Sequence, residues 1–321
     1  METQTAKKWK WYDNALFYLL AAILLTLLGQ VLGAVLVMMP VGVFMGISGN
    51  VIMEQGKLAL PPVLDTVTMY LPTIGVWIVL LLCYLKKRNR PLFRSITPYC
   101  SGNTVKKFLL GLLIGGGMNG FCILAACLHG DISLAFSGGD IFPLLLILLC
   151  VFIQSSSEEL LCRSYFYQKL YHRYNAVAAI AGNSLFFAML HLGNPGINAP
   201  AFIDLLLSGL MFSLMVYYMD SIWCAFAAHT AWNYTQNIIF GLPNSGLKVP
   251  FSIFKLEGAA KDSFFYNAAF GIEGTWFAVI VEAAVIAVII IWGRKDHRKP
   301  TDIWAPEEQK TQSQEGPEKV S

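Results

Sequence analysis

Glu158 and Glu159, with Arg163 close behind, follow directly on the apolar run 141–153. A charged side chain near the centre of a membrane helix costs about 2.5–3.5 kcal/mol, so groups placed there need partners or a task. On a helix Glu159 and Arg163 are i,i+4 neighbours and can pair, while Glu158 is turned roughly 100° away, beside Gln154, Ser155 and Cys162. One carboxylate is then structural and the other is free for acid–base work. Two further stretches bring polar groups into apolar helices. Asn183, Phe187 and His191 share one face, and His229 with Asn233 starts another that continues through Gln236 and Asn237.

A carboxylate and two imidazoles in a wet intramembrane cavity support two hydrolytic schemes. In the first, Glu158 and His191 hold and deprotonate a water while His229 and Asn233 donate to the developing oxyanion. In the second, Glu158, His191 and His229 ligate a divalent metal such as zinc, which acidifies its water and polarises the scissile carbonyl. Spacing leaves both open. The chain has no H-E-x-x-H helix and no G-x-S-x-G elbow, which argues against the commonest zinc-protease signature and against serine catalysis.

These stretches need helices to carry them. The chain is 56% hydrophobic and 13% charged, with mean hydropathy +0.56, which excludes an ordinary soluble domain. It reads as an all-α polytopic membrane protein of about eight transmembrane helices. The expected spans are near 15–39, 66–85, 108–127, 141–171, 176–192, 201–219, 221–240 and 276–292, the fourth to seventh forming the catalytic bundle. The first, preceded by Lys7, Lys8 and Lys10, reads as a retained signal anchor. Gly115, Gly116 and Gly117 in the third would let another helix come close. Residues 1–293 form one transmembrane domain with a core at 141–240, and 294–321 a disordered cytoplasmic tail.

Lys and Arg fall mainly at the N-terminus, at 86–94, 106–107 and 163–173, and after 293, so both termini are expected in the cytoplasm of a cell-membrane protein. No basic face for nucleic acid is present. The seven cysteines form no C-x-x-C pair and read as small buried hydrophobes. Glu282 is an orphan carboxylate; Asp204 and Asp220 read as interfacial; His129, His172 and His297 receive no role. Trp9, Trp11, Tyr217, Tyr218, Trp223 and Trp276 suggest aromatic belts. The segment 241–274 is left without an assigned purpose.

Glu158-Glu159-Leu-Leu-Cys-Arg163, Phe187-Ala-Met-Leu-His191 and His229-Thr-Ala-Trp-Asn233, in this order, resemble the three motifs of the CPBP intramembrane proteases, also called the type II CAAX prenyl endopeptidase or Abi family. The resemblance covers about 141–240 and implies an eight-helix membrane endopeptidase. By position it makes Glu158 the catalytic glutamate, Glu159 and Arg163 its supporting pair, His191 the second catalytic residue, and His229 with Asn233 the remaining polar pair. Cys162 stands where the family often has an aromatic residue, which bears on packing. The expected substrate is a membrane-bound peptide, a bacteriocin-type leader or a membrane protein. The rival class is a non-catalytic bacteriocin immunity protein or a proton-coupled transporter using the same buried groups.

Overall fold

Short polar side chains set where several helices begin. Asn14, Thr104, Asn175, Asn198 and Ser221 each accept a hydrogen bond from a backbone N–H of the turn that follows, satisfying donors that a helix start leaves open. The computed structural model describes residues 12–48, 53–54, 57–296 and 300–305. Among them eight long helices follow in order. They are α1 (Ala15–Ile47), α2 (Pro62–Tyr84), α3 (Val105–His129), α4 (Ile141–Arg173), α5 (Ala176–Leu190), α6 (Ala199–Met219), α7 (222–239) and α8 (Trp276–Asp296). Lys7, Lys8, Lys10, Trp9, Trp11 and His297 lie outside the described residues.

Six of these, α1, α2, α3, α4, α6 and α8, are long and apolar enough to cross a bilayer, while α5 has 15 residues and α7 is rich in buried polar groups. The fold is all-α and polytopic. Large apolar side chains such as Leu24, Leu27, Val31 and Met39 on α1 point outward, as lipid contact requires. α1 runs on through Pro40 to Ile47, beyond the expected end at 39. At Gly115 a Cβ would stand 1.9 Å from the carbonyl oxygen of Ala228, and at Gly111 2.2 Å from that of Cys224, so α3 and α7 pack with backbones in contact.

One end of the bundle collects the basic residues. Arg88 pairs with Asp13 at 3.1 Å, Arg173 Nε donates to the Asp13 carbonyl, and Lys169 donates to Asn89. Asp220, whose φ of 52° lets the chain turn sharply from α6 into α7, accepts from the backbone of Ser101 and of Thr301. Arg94 donates to the carbonyls of Ile303 and Ala305, and Ile303 is buried. Residues 300–305, inside the stretch expected to form a disordered tail, therefore pack on the loops between helices, and α8 itself runs to Asp296. Residues 306–321 lie outside the described residues. At the other end a two-stranded ribbon, β1 (Leu134–Phe136) against β2 (Phe254–Leu256), ties the segment 241–274 to the loop between α3 and α4.

Candidate active site

Two of the three motif-bearing helices, α4 and α7, change winding beside their polar residues. In α4 the α-helical part ends at Glu159 and a π-helical segment, Leu160–Phe166, follows. In α7 the α-helical part ends at Asn233, and the π-helical Tyr234–Ile239 completes it. Such insertions re-aim side chains and frequently mark functional sites.

Glu159 and Arg163 are both fully buried, and Arg163 Nη1 donates to Glu159 Oε1 at 3.0 Å. Nη2 donates to the Gly209 carbonyl at 3.1 Å, and the guanidinium lies over the rings of Phe187 (4.5 Å) and Phe212 (5.1 Å). Asn183, with its amide turned to match every partner, donates to the Cys162 carbonyl (2.8 Å) and accepts from Arg163 Nε (3.3 Å) and Ser213 Oγ (2.7 Å). Phe187 and Asn183 thus serve the ion pair. Glu159 has a second function: its Oε1 lies 2.9 Å from His229 Nδ1, which fixes the imidazole and directs Nε2 toward Glu158.

His191 caps the C-terminus of α5. Its Nδ1 is 3.0 Å from the Phe187 carbonyl, which can only accept, so in the neutral ring the hydrogen sits on Nδ1 and Nε2 is bare. Glu158 presents Oε1 to Gln154 Nε2 at 2.5 Å. Its Oε2 is buried with no hydrogen-bond partner among the described residues, and Nε2 of His191 and Nε2 of His229 both stand 3.9 Å from it. The sequence-predicted Glu158, His191 and His229 therefore converge on one point.

Two acceptors 3.9 Å apart, each about 2.8 Å from a water oxygen, subtend roughly 90° at it, close to what one water offers its partners. The donor types also suit zinc. The separation is wider than the roughly 3.3 Å between ligands of a tetrahedral site with bonds of about 2.05 Å, and among the described residues no group of three His, Cys, Asp or Glu is placed to hold an ion.

Asn233 comes to the same place by a different route. Its Nδ2 donates to Gln154 Oε1 (3.1 Å) and Ser155 Oγ (3.2 Å), and its Oδ1 accepts from Asn244 Nδ2 (3.0 Å). Both amide hydrogens are engaged, so Asn233 reaches Glu158 through Gln154. Gln154 is legible in sequence as the i−4 neighbour of Glu158. Asn244 is not, because it comes from the aperiodic segment 241–274.

That segment covers the site. A cavity of about 290 Å³ is lined by Glu158, His191, His229 and Asn233 on one side and by Asn244, Ser245 and Glu273 on another. Glu273 accepts from Trp232 Nε1 (3.0 Å) and Gln236 Nε2 (2.6 Å), and Gln236 in turn accepts from Asn119. Burial pushes the Glu273 carboxyl above its ordinary range, and the Trp232 and Gln236 donors oppose that shift. Asp204, expected at an interface, is instead buried and lines the cavity, because α6 begins well before it and turns this face inward. The orphan Glu282 has a partner: Ser208 Oγ donates to its Oε1 at 2.6 Å.

Residues 140–235 match the family model Rce1-like, described as type II CAAX prenyl endopeptidase Rce1-like. Comparison with curated proteins and with solved structures gives no match. The matched span runs from the start of α4 into the π segment of α7 and contains Glu158, Glu159, Arg163, His191, His229 and Asn233. Through this core, residues 140–235 within an all-α membrane fold, the chain is similar to the Rce1-like family of type II CAAX prenyl endopeptidases.

Proposed function

We propose that the protein is an intramembrane endopeptidase in which Glu158 and His191 hold and activate the hydrolytic water. The observation that carries this reading is the unpartnered Oε2 of Glu158 facing the bare Nε2 of His191 across 3.9 Å, inside the cavity. A water there donates one hydrogen to each acceptor and keeps a lone pair for the scissile carbonyl carbon. As it attacks, its proton passes to Glu158 Oε2, which later delivers a proton to the leaving amine. His229, held at Nδ1 by Glu159, donates from Nε2 to the oxyanion when both ring nitrogens carry a hydrogen. Asn233 positions Glu158 through Gln154; a direct bond from its amide to the oxyanion requires giving up Gln154 or Ser155. Were a divalent ion bound by Glu158, His191 and His229, it would acidify the water and polarise the carbonyl at the same point.

The substrate is a membrane-associated peptide or protein, since the polar cavity is enclosed by helices whose outer faces are apolar. The protein sits in the cell membrane with the basic end of the bundle, and both termini, in the cytoplasm. Turnover of a pooled set of quenched fluorescent peptides by the purified protein in neutral detergent, with and without a chelator, tests the chemistry. Glutamate–water hydrolysis continues under chelation in wild type and falls at least about 10²-fold in His191→Ala. Loss of wild-type turnover on chelation, restored by zinc, would replace the water-only scheme by the metal one.

A further inference from the structure

The cavity has a second polar wall that the proposed hydrolysis leaves unused. Asp204 and Ser208, one turn apart on α6, and Glu273 line it, and Glu282 of α8 stands behind Ser208. Asp204, Glu273 and Glu282 are 1%, 3% and 2% exposed. Both oxygens of Glu273 are taken by Trp232 and Gln236, whereas Oδ1 of Asp204 and Oε2 of Glu282 have no hydrogen-bond partner among the described residues. None of the three carboxyls enters an ion pair with a described Lys, Arg or His. The charged neighbours that act on Asp204 are Glu282 and Glu273, both acidic.

Three carboxyls gathered in a bundle interior with no counter-charge are expensive to keep, and an intramembrane acid of this kind ordinarily faces a cation or a pathway. Here the wall belongs to the same cavity as Glu158, His191 and His229, so whatever Asp204 meets shares that cavity with the reacting bond. Leu205 and Met211, also on the cavity surface, offer an apolar flank for an alkyl stem that ends in a charge.

We propose that Asp204, backed by Glu282 through Ser208, forms a subsite for a cationic side chain of the substrate, the ammonium of a lysine or the guanidinium of an arginine, placed next to the scissile peptide bond. This rests on the endopeptidase reading. A neutral side chain of the same length leaves the Asp204 carboxyl desolvated and unpaired, and that penalty gives the selectivity.

The experiment has two arms, one of which needs no turnover. In the first, melting of the purified protein in neutral detergent is followed with hexylammonium or with hexanol. Hexylammonium raises the midpoint of wild type and of Asp204→Glu, which keeps the carboxyl, and not that of Asp204→Asn; hexanol acts on all three alike. In the second, peptide pairs differing only in lysine or norleucine beside the cleaved bond are compared. Wild type favours lysine in kcat/KM by about tenfold, the factor given by roughly 1.4 kcal/mol, and the ratio falls to near one in Asp204→Asn.

Equal midpoint shifts in wild type and Asp204→Asn, or a lysine preference unchanged by that substitution, overturn the subsite. If no peptide is cut while hexylammonium still distinguishes wild type from Asp204→Asn, the hydrolytic reading fails and the cation site stands. If norleucine peptides are cut and neither lysine nor hexylammonium has an Asp204-dependent effect, the hydrolytic reading stands and the subsite is gone.

Discussion

Glu159 is closed in by Arg163 and by Nδ1 of His229, while its neighbour Glu158 keeps one oxygen bare between two imidazoles. The i,i+4 rule separates these fates in the sequence, since only Glu159 has a cation one turn on. It does not reveal that Glu159 also orients His229, because that contact joins helices 70 residues apart. Nor does it give the tautomer of His191, which depends on a backbone carbonyl freed at the end of α5. The line from Asn244 through Asn233 and Gln154 to Glu158 makes a prediction at this scale. Gln154→Ala and Asn233→Ala each lower kcat on the order of 10²-fold by loosening one carboxylate, and KM stays near wild type. The double variant is then little worse than either single one, because both act through the same bond chain. Steady-state kinetics in a double-mutant cycle checks this; additive losses would show that Asn233 acts directly on the oxyanion.

The helices were legible from hydropathy, and α4 extends to Arg173, just past its expected end at 171. Their interiors were less so. The π segments after Glu159 and after Asn233 carry no compositional mark, since they arise from packing against neighbours rather than from local propensity. The segment 241–274 was unreadable for a related reason: Asn244 and Glu273 gain their meaning from Asn233, Trp232 and Gln236 on α7, all non-local partners. The glycine-rich face of α3 was readable, and it can be tested at one position. In Gly115→Val the side chain meets the Ala228 carbonyl, a backbone atom that cannot swing away, so α3 and α7 must separate. Thermal unfolding in detergent should show a loss of about 1–3 kcal/mol or more, with turnover impaired because α7 carries His229. Gly117→Ala, where nothing lies within 4 Å, should leave stability unchanged or slightly raised.

At the scale of the whole molecule, the basic loops and residues 300–305 are bound together by Asp13, Arg88, Arg94, Lys169, Arg173 and Asp220 at one end of the bundle. The excess of Lys and Arg there was visible in the sequence; their joining into one bonded face was not, because each bond crosses from one loop to another. If that end is cytoplasmic, a membrane-impermeant maleimide labels Lys261→Cys in intact cells and labels Arg90→Cys only after permeabilisation. The opposite pattern would invert the topology. The central claim, that the oxygen left open on Glu158 performs hydrolysis, is met most directly by one substitution. Glu158→Gln keeps the shape and the contact with Gln154 but removes the base, so the purified variant should fold, bind peptide and show turnover reduced by about 10²–10⁴-fold against wild type. A Glu158→Gln protein that cuts the same peptides at the wild-type rate would contradict the account.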